Sequence, residues 1–172
     1  MGDARRPDPI VTAAAGDYHE RMDSWSAFAA AEPEMADRGR QLLYQRGDGE
    51  GFLATVAANG VPRIHPLNVG VVEGRLLVFV QDKSAKTRDL ASNPSYALHA
   101  PQEAAHPSEF MVRGRAHLVT DAAAREAAAR DWFFRVSAAY PLYELLISQA
   151  LLGERASADE WPPRYRSWRS AR

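Results

Sequence analysis

The sequence predicts a mainly β, α+β fold: a small antiparallel barrel with helices at its periphery. Three observations carry this. From residue 52 to residue 120 the apolar pattern has the period of strands, broken by the turn dipeptides Asn59-Gly60 and Glu73-Gly74. Helical signals dominate on either side of that stretch. The 172 residues, 46% hydrophobic and 25% charged, suit one domain with a core that needs no cross-links.

Residues 1–16 contain Pro7 and Pro9 without periodicity and read as a flexible arm; 17–172 read as a single domain. Ser24 can cap a short helix through about Ala31, and Pro33 opens a second, Glu34 to Gln45. Met35, Gly39, Leu42 and Leu43 fall on one stripe of the second helix, and Gly47-Asp48-Gly49 ends it. Phe52 to Ala57, Arg63 to Val72 and Arg75 to Gln81 read as three strands of one antiparallel meander. Ser84 caps a helix through Ser92 that Asn93-Pro94 stops, and Tyr96 to Ala100 is a fourth strand. Pro101 to Ser108 is a loop. In Glu109 to Thr120, Phe110, Val112, Gly114, Ala116 and Leu118 share one face, and Met111, Arg113, Arg115 and His117 share the other. Asp121 opens a helix to about Ala139, Pro141 opens another to Gly153, and the tail from Trp161 to Arg172 receives no assignment.

Composition narrows the function. The absence of cysteine excludes disulfides, thiolate nucleophiles and iron–sulfur clusters. A net charge of -1 gives no general attraction to nucleic acid. No apolar run approaches the roughly 18 residues of a membrane span, no signal core follows the N-terminus, and Arg6 breaks the myristoylation pattern. A cytoplasmic protein acting on a small molecule, without nucleic-acid or membrane partners, is the expectation. His19, His99, His106 and His117 lack metal-ligand spacing, so no metal site is expected, and no serine sits in Gly-x-Ser-x-Gly.

The most informative residues are Arg63 to Asn68 and Lys83 to Arg88. Arg63 starts one strand, and Lys86 and Arg88 lie in the first turns of a helix. Helix N-termini present unpaired N–H groups that suit a phosphate, which a guanidinium can clamp while Lys86 adds charge and Ser84 a hydroxyl. The competing reading makes these ordinary solvated charges.

The run GFLATVAANGVPRIHPLNV, then GRLLVFVQDKSAKTRDLASNPSYALHA, then EFMVRGRAHLV resembles the pyridoxamine 5′-phosphate oxidase-like family of FMN-binding split barrels, over about Gly51 to Thr120. The resemblance implies an antiparallel split barrel forming a homodimer, with FMN at the subunit interface. It implies that Arg63 and Lys86 hold the FMN phosphate, that Ile64, His65, Pro66, Leu67 and Asn68 run along the flavin, that Val80 and Gln81 give backbone contacts, and that Ser84 and Ala85 complete the phosphate pocket. The stripe on the second helix and the aromatic-rich 132–143 segment offer interface material. Two departures count against vitamin B6 oxidation: Asn68 stands where the oxidases close the strand motif with lysine, and the tail Arg164-Tyr165-Arg166-Ser167-Trp168 lacks their Arg-x-His element. An FMN-dependent oxidoreductase is the first expectation. The alternatives are a deazaflavin-dependent reductase and a non-catalytic flavin or haem binder, with His99 or His117 as the haem ligand. No residue demands the role of catalytic acid or base.

Overall fold

Ser24 begins the ordered helical material by accepting a hydrogen bond from the Ala27 N–H at 3.3 Å, which caps α1 (Trp25–Ala31). The computed structural model describes residues 22–104, 107–130, 132–157 and 159–171, so the expected arm over 1–16 lies outside the described residues, as do His19 and His106. Pro33 occupies the first turn of α2 (Pro33–Leu43), where its missing N–H costs nothing. The expected stripe Met35, Gly39, Leu42 and Leu43 is buried. Gly39 is there because the ring of Phe110 fills the space a side chain would need.

The strands are β1 (Glu50–Val56), β2 (Pro62–Asn68), β3 (Gly70–Val72), β4 (Arg75–Phe79), β5 (Ser95–His99), β6 (Glu109–Leu118), β7 (Leu142–Glu154) and β8 (Arg164–Arg169), with α3 (Ala85–Ser92) and α4 (Ala122–Arg130) between them. They form one antiparallel sheet in the order β2-β1-β5-β6-β7-β4-β3. β7 pairs with β6 along one edge. On its other edge it takes β4 at Leu142–Glu144 and β8 at Gln149–Glu154. β2 and β3 stand at opposite ends of this path yet are separated in the chain only by Val69. The chain therefore ties the two ends together, and the sheet curls into a split barrel.

That connection corrects the expected meander. The strand foreseen over 63–72 breaks at the buried Val69, whose N–H donates to the Gly49 carbonyl at 2.9 Å, and its halves pair with different neighbours. The second correction is larger. The helix expected from Pro141 to Gly153 is β7, a central strand with nine of its thirteen residues buried and none exposed. Its Leu, Ala and Gln content favours helix in isolation, and burial between neighbouring strands overrides that preference. The helix expected to run to Ala139 ends at Arg130, and the unassigned tail supplies β8.

Two cores result. Inside the curl, Leu53, Leu98, Phe110, Val112, Leu145 and Ile147 pack against Trp25, Phe28 and Met35 from α1 and α2. On the other side of β4 and β7, Leu77, Phe79 and Leu142 pack against Ala128 of α4 and against Trp132, whose ring meets Phe79 edge-on at 4.9 Å. The helix stripe and the aromatic segment are thus largely consumed within the chain, where the sequence offered them as interface material.

Candidate functional site

The β1–β2 hairpin positions the site. Its loop runs through Ala58 and Asn59 to Gly60, which sits at φ +83, a left-handed conformation that suits glycine. The register opposes Thr55 to Arg63, Leu53 to His65 and Gly51 to Leu67. Directly opposed residues share a face. Because Gly51, Leu53 and Thr55 are buried, Arg63, His65 and Leu67 take the inner side of the curl. Pro62, Ile64, Pro66 and Asn68 take the outer side, where Ile64 is 71% exposed.

On the inner side the basic residues gather around Asp89, a carboxylate that sequence reasoning missed. Asp89 lies on α3 and is only 3% exposed. It accepts from the Thr55 hydroxyl at 2.8 Å and from Arg63 Nη1 at 2.6 Å. Burial alone would raise its pKa. The hydrogen bonds from Thr55 and Arg63, with the positive charge of Arg63, outweigh burial and hold it below the usual aspartate value. The single Thr55 hydroxyl proton goes to Asp89, so at 3.2 Å from His65 Nε2 the oxygen accepts, and His65 carries its proton on Nε2. Burial pushes the imidazole below its ordinary pKa, and the nearby charge of Lys86 adds to this, against Asp89. His65 is therefore neutral at pH 7.

The head of α3 faces this cluster. Lys83 takes φ +58, Ser84 Oγ caps the helix by accepting from the Thr87 N–H at 3.3 Å, and Thr87 Oγ1 donates to the Gln81 carbonyl at 2.8 Å. The Ser84 hydroxyl is thus engaged in capping. The N–H groups of Ala85 and Lys86 occupy the first turn, where a helix lacks internal acceptors. The Arg88 guanidinium donates to the Lys83 carbonyl at 2.6 Å and braces the turn. Arg63 keeps its Nε and Nη2 donors without a partner among the described residues, and its side chain is 41% exposed.

The structure brings Arg63, His65 and Lys86 together, with Ser84 and Ala85 at the adjoining helix head. It separates Ile64, Pro66 and Asn68 onto the outer face, where Pro66 and Asn68 border a cavity of about 290 Å³ and Asn68 Nδ2 donates to the Gly49 carbonyl at 3.3 Å. Val80 is fully buried, with its N–H given to the Pro141 carbonyl at 3.0 Å. Asp89 lies one helical turn beyond Lys86, a spacing that by itself gives no sign of its burial. Among the described residues no group of three or more His, Asp or Glu is arranged to hold a metal, and no helix is long and apolar enough to cross a membrane. His99 bonds the Ala100 carbonyl through Nδ1, and His117 is exposed.

A larger cavity lies elsewhere. It measures about 780 Å³ and opens on the outer face of β1, β5 and β6, between Ala54, Val56, Pro62, Ala97, Arg113 and Arg115.

Comparison with known proteins places this architecture. No curated protein sequence matches the chain. A heme binding protein from Mycobacterium smegmatis is similar at 21% identity and TM-score 0.59, covering 80% of this chain; the chain spans 59% of that protein's length. A Listeria innocua protein provisionally named a pyridoxamine 5′-phosphate oxidase is similar at 19% identity and TM-score 0.54, over 66% of this chain and 94% of its own. HutZ, the heme storage protein of Vibrio cholerae, is similar at 17% identity and TM-score 0.52, over 67% and 89%. At these identities the likeness is one of fold. In sequence, the family model described as pyridoxamine 5′-phosphate oxidase matches residues 47–157, from the end of α2 through β7. A match over well over half of the chain, on the strands that form the split barrel, makes this chain a member of the pyridoxamine 5′-phosphate oxidase family.

Proposed function

We propose that the chain is one subunit of a homodimeric oxidoreductase that binds FMN, with the cofactor phosphate held by Lys86, the free edge of Arg63 and the first N–H groups of α3. The observation that carries this reading is the convergence of Arg63 and Lys86 at the head of α3. The fit is one of charge and donors. Asp89 takes one edge of Arg63 and neutralises one cation, which leaves the Lys86 ammonium, two guanidinium nitrogens and two backbone N–H groups for a phosphate. FMN held there would supply the electron-transfer chemistry. The chain's own residues bind and orient: Asp89 fixes the Arg63 guanidinium, and Thr55 fixes the His65 tautomer.

The outer face supports a dimer. Phe52, which borders the smaller cavity, and Ile64, opposite Ala54 of the larger one, are exposed there, an apolar display that a second copy would cover. The substrate is a small molecule less charged than pyridoxamine phosphate, because Asn68 brings no charge and bonds the Gly49 carbonyl. A deazaflavin coenzyme is the alternative occupant of the same clamp. A second reading, non-catalytic haem binding, is favoured by the names of the Mycobacterium smegmatis and Vibrio cholerae proteins.

The test is a titration of the purified protein with FMN, riboflavin and haem, followed by NAD(P)H addition. Saturable FMN binding that exceeds riboflavin binding, with reduction and reoxidation, bears out the proposal. Haem binding without flavin binding establishes the second reading. A monomer in light scattering at micromolar concentration overturns the dimer.

A further inference from the structure

We infer that the outer-face cavity is a second, separate anion site, taking a small molecule that carries a phosphate or carboxylate on an apolar body. Arg113 and Arg115 stand two residues apart on β6, on the same face, about 7 Å apart along the strand. That spacing lets two guanidinium groups converge on one anionic group. The register keeps them so: the irregularity in the β6–β7 ladder falls on Ser148 of β7, whose hydroxyl donates to the Arg113 carbonyl at 3.1 Å, and β6 itself stays regular. Gly114 between them lies against the Leu146 carbonyl, a close approach that no side chain would permit.

Neither guanidinium has a hydrogen bond or an ion pair among the described residues, and no Asp or Glu lines the cavity. Most other arginines on the barrel are spoken for: Arg63 by Asp89, Arg75 by Glu144, Arg46 by Glu103. Ala54, Val56, Pro62 and Ala97 give the cavity apolar walls, and Ser95 adds a hydroxyl. A volume of about 780 Å³ falls within the roughly 300–1,000 Å³ of ordinary small-molecule sites. β1 lies between this cavity and the Arg63 cluster: Ala54, Thr55 and Val56 all border the cavity, while the Thr55 hydroxyl is given to Asp89 of the cluster. The inference therefore does not rest on the phosphate clamp at Arg63.

The experiment measures binding of 1-naphthyl phosphate, 1-naphthoate and the uncharged 1-naphthalenemethanol by calorimetry. The proteins are the wild type, Arg113→Gln, Arg115→Gln and Arg63→Gln. Both anionic probes are expected to bind saturably, more tightly than the alcohol. Each β6 substitution should weaken the anions about tenfold or more and leave the alcohol unchanged, because a charge-assisted bond is lost. Arg63→Gln removes only what the clamp at the head of α3 takes, and should leave the anion binding that depends on Arg113 and Arg115 unchanged. Stronger binding of only one anion identifies phosphate or carboxylate as the ligand's group. Absence of saturable binding, equal affinities in the wild type and the β6 variants, or loss confined to Arg63→Gln overturns the inference.

Discussion

The two sides of the β1–β2 hairpin handle positive charge in opposite ways. On the inner side Arg63 meets a buried carboxylate, a hydroxyl and an imidazole, each bonded to the next. On the outer side Arg113 and Arg115 flank a larger cavity and meet no carboxylate among the described residues. The difference teaches what each is for. A buried ion pair costs desolvation and is retained for geometry, so Asp89 serves to aim Arg63. Guanidinium groups that meet no carboxylate beside an apolar-walled cavity keep their donors available to an anion.

The largest expected effect is on the inner side. Asp89→Ala removes two hydrogen bonds from a buried position and should cost about 2–3 kcal/mol in urea unfolding, with an unchanged denaturant slope. A loss within about 0.5 kcal/mol would dissolve the contrast between the two faces. Next comes the clamp. Arg63→Gln or Lys86→Gln should weaken FMN by about ten- to hundredfold in fluorescence titration and leave riboflavin unchanged, because only FMN carries the phosphate. Equal losses for both ligands would put the phosphate elsewhere.

A smaller effect follows from His65, whose folded pKa lies below its unfolded value because of burial and the Lys86 charge. As pH falls through the ordinary histidine range of about 6.5, the unfolded chain takes up a proton before the folded chain does. Stability from this group is therefore complete above that range, declines below it, and levels off once the folded His65 also protonates. His65→Gln should remove that slope, read as the difference in melting temperature between pH 7.5 and pH 5.5. A slope identical in the two proteins would separate His65 from the cluster. The smallest effect belongs to the outer side: Arg115→Gln should alter stability by no more than about 0.5 kcal/mol in thermal unfolding.

Local chemistry was legible in the sequence wherever a residue acts on its own neighbours. Ser24 and Ser84 cap the helices they were expected to cap, and Pro33 opens α2. The alternation in β6 holds through Ala116, with Leu118 at the strand end exposed. The Arg63–Lys86 pairing was legible only through the order of motifs, since 22 residues lie between them. Asp89 was not legible, because a lone aspartate on a short helix gives no sign of burial until the sheet it faces is known. β7 misled for a related reason. Leu145, Leu146, Ile147, Ala150, Leu151 and Leu152 fit a buried helix as well as a strand buried on both faces, and length and periodicity do not separate the two.

The sequence by itself determined the strands β1, β4, β5 and β6, the turns at Asn59-Gly60 and Glu73-Gly74, the caps, the absence of cysteine chemistry and the basic residues available for a phosphate. The tertiary structure decided which of those residues meet. A strand's period of two sends neighbours to opposite faces, so Arg63 and His65 part from Ile64, Pro66 and Asn68 only when one face is buried. Closure of the sheet, with β2 and β3 tied across Val69, buries that face, brings Asp89 to Arg63 and leaves Arg113 and Arg115 open on the other side. Pairing between strands far apart in sequence is set by the free energy of the whole core, and no single segment carries it.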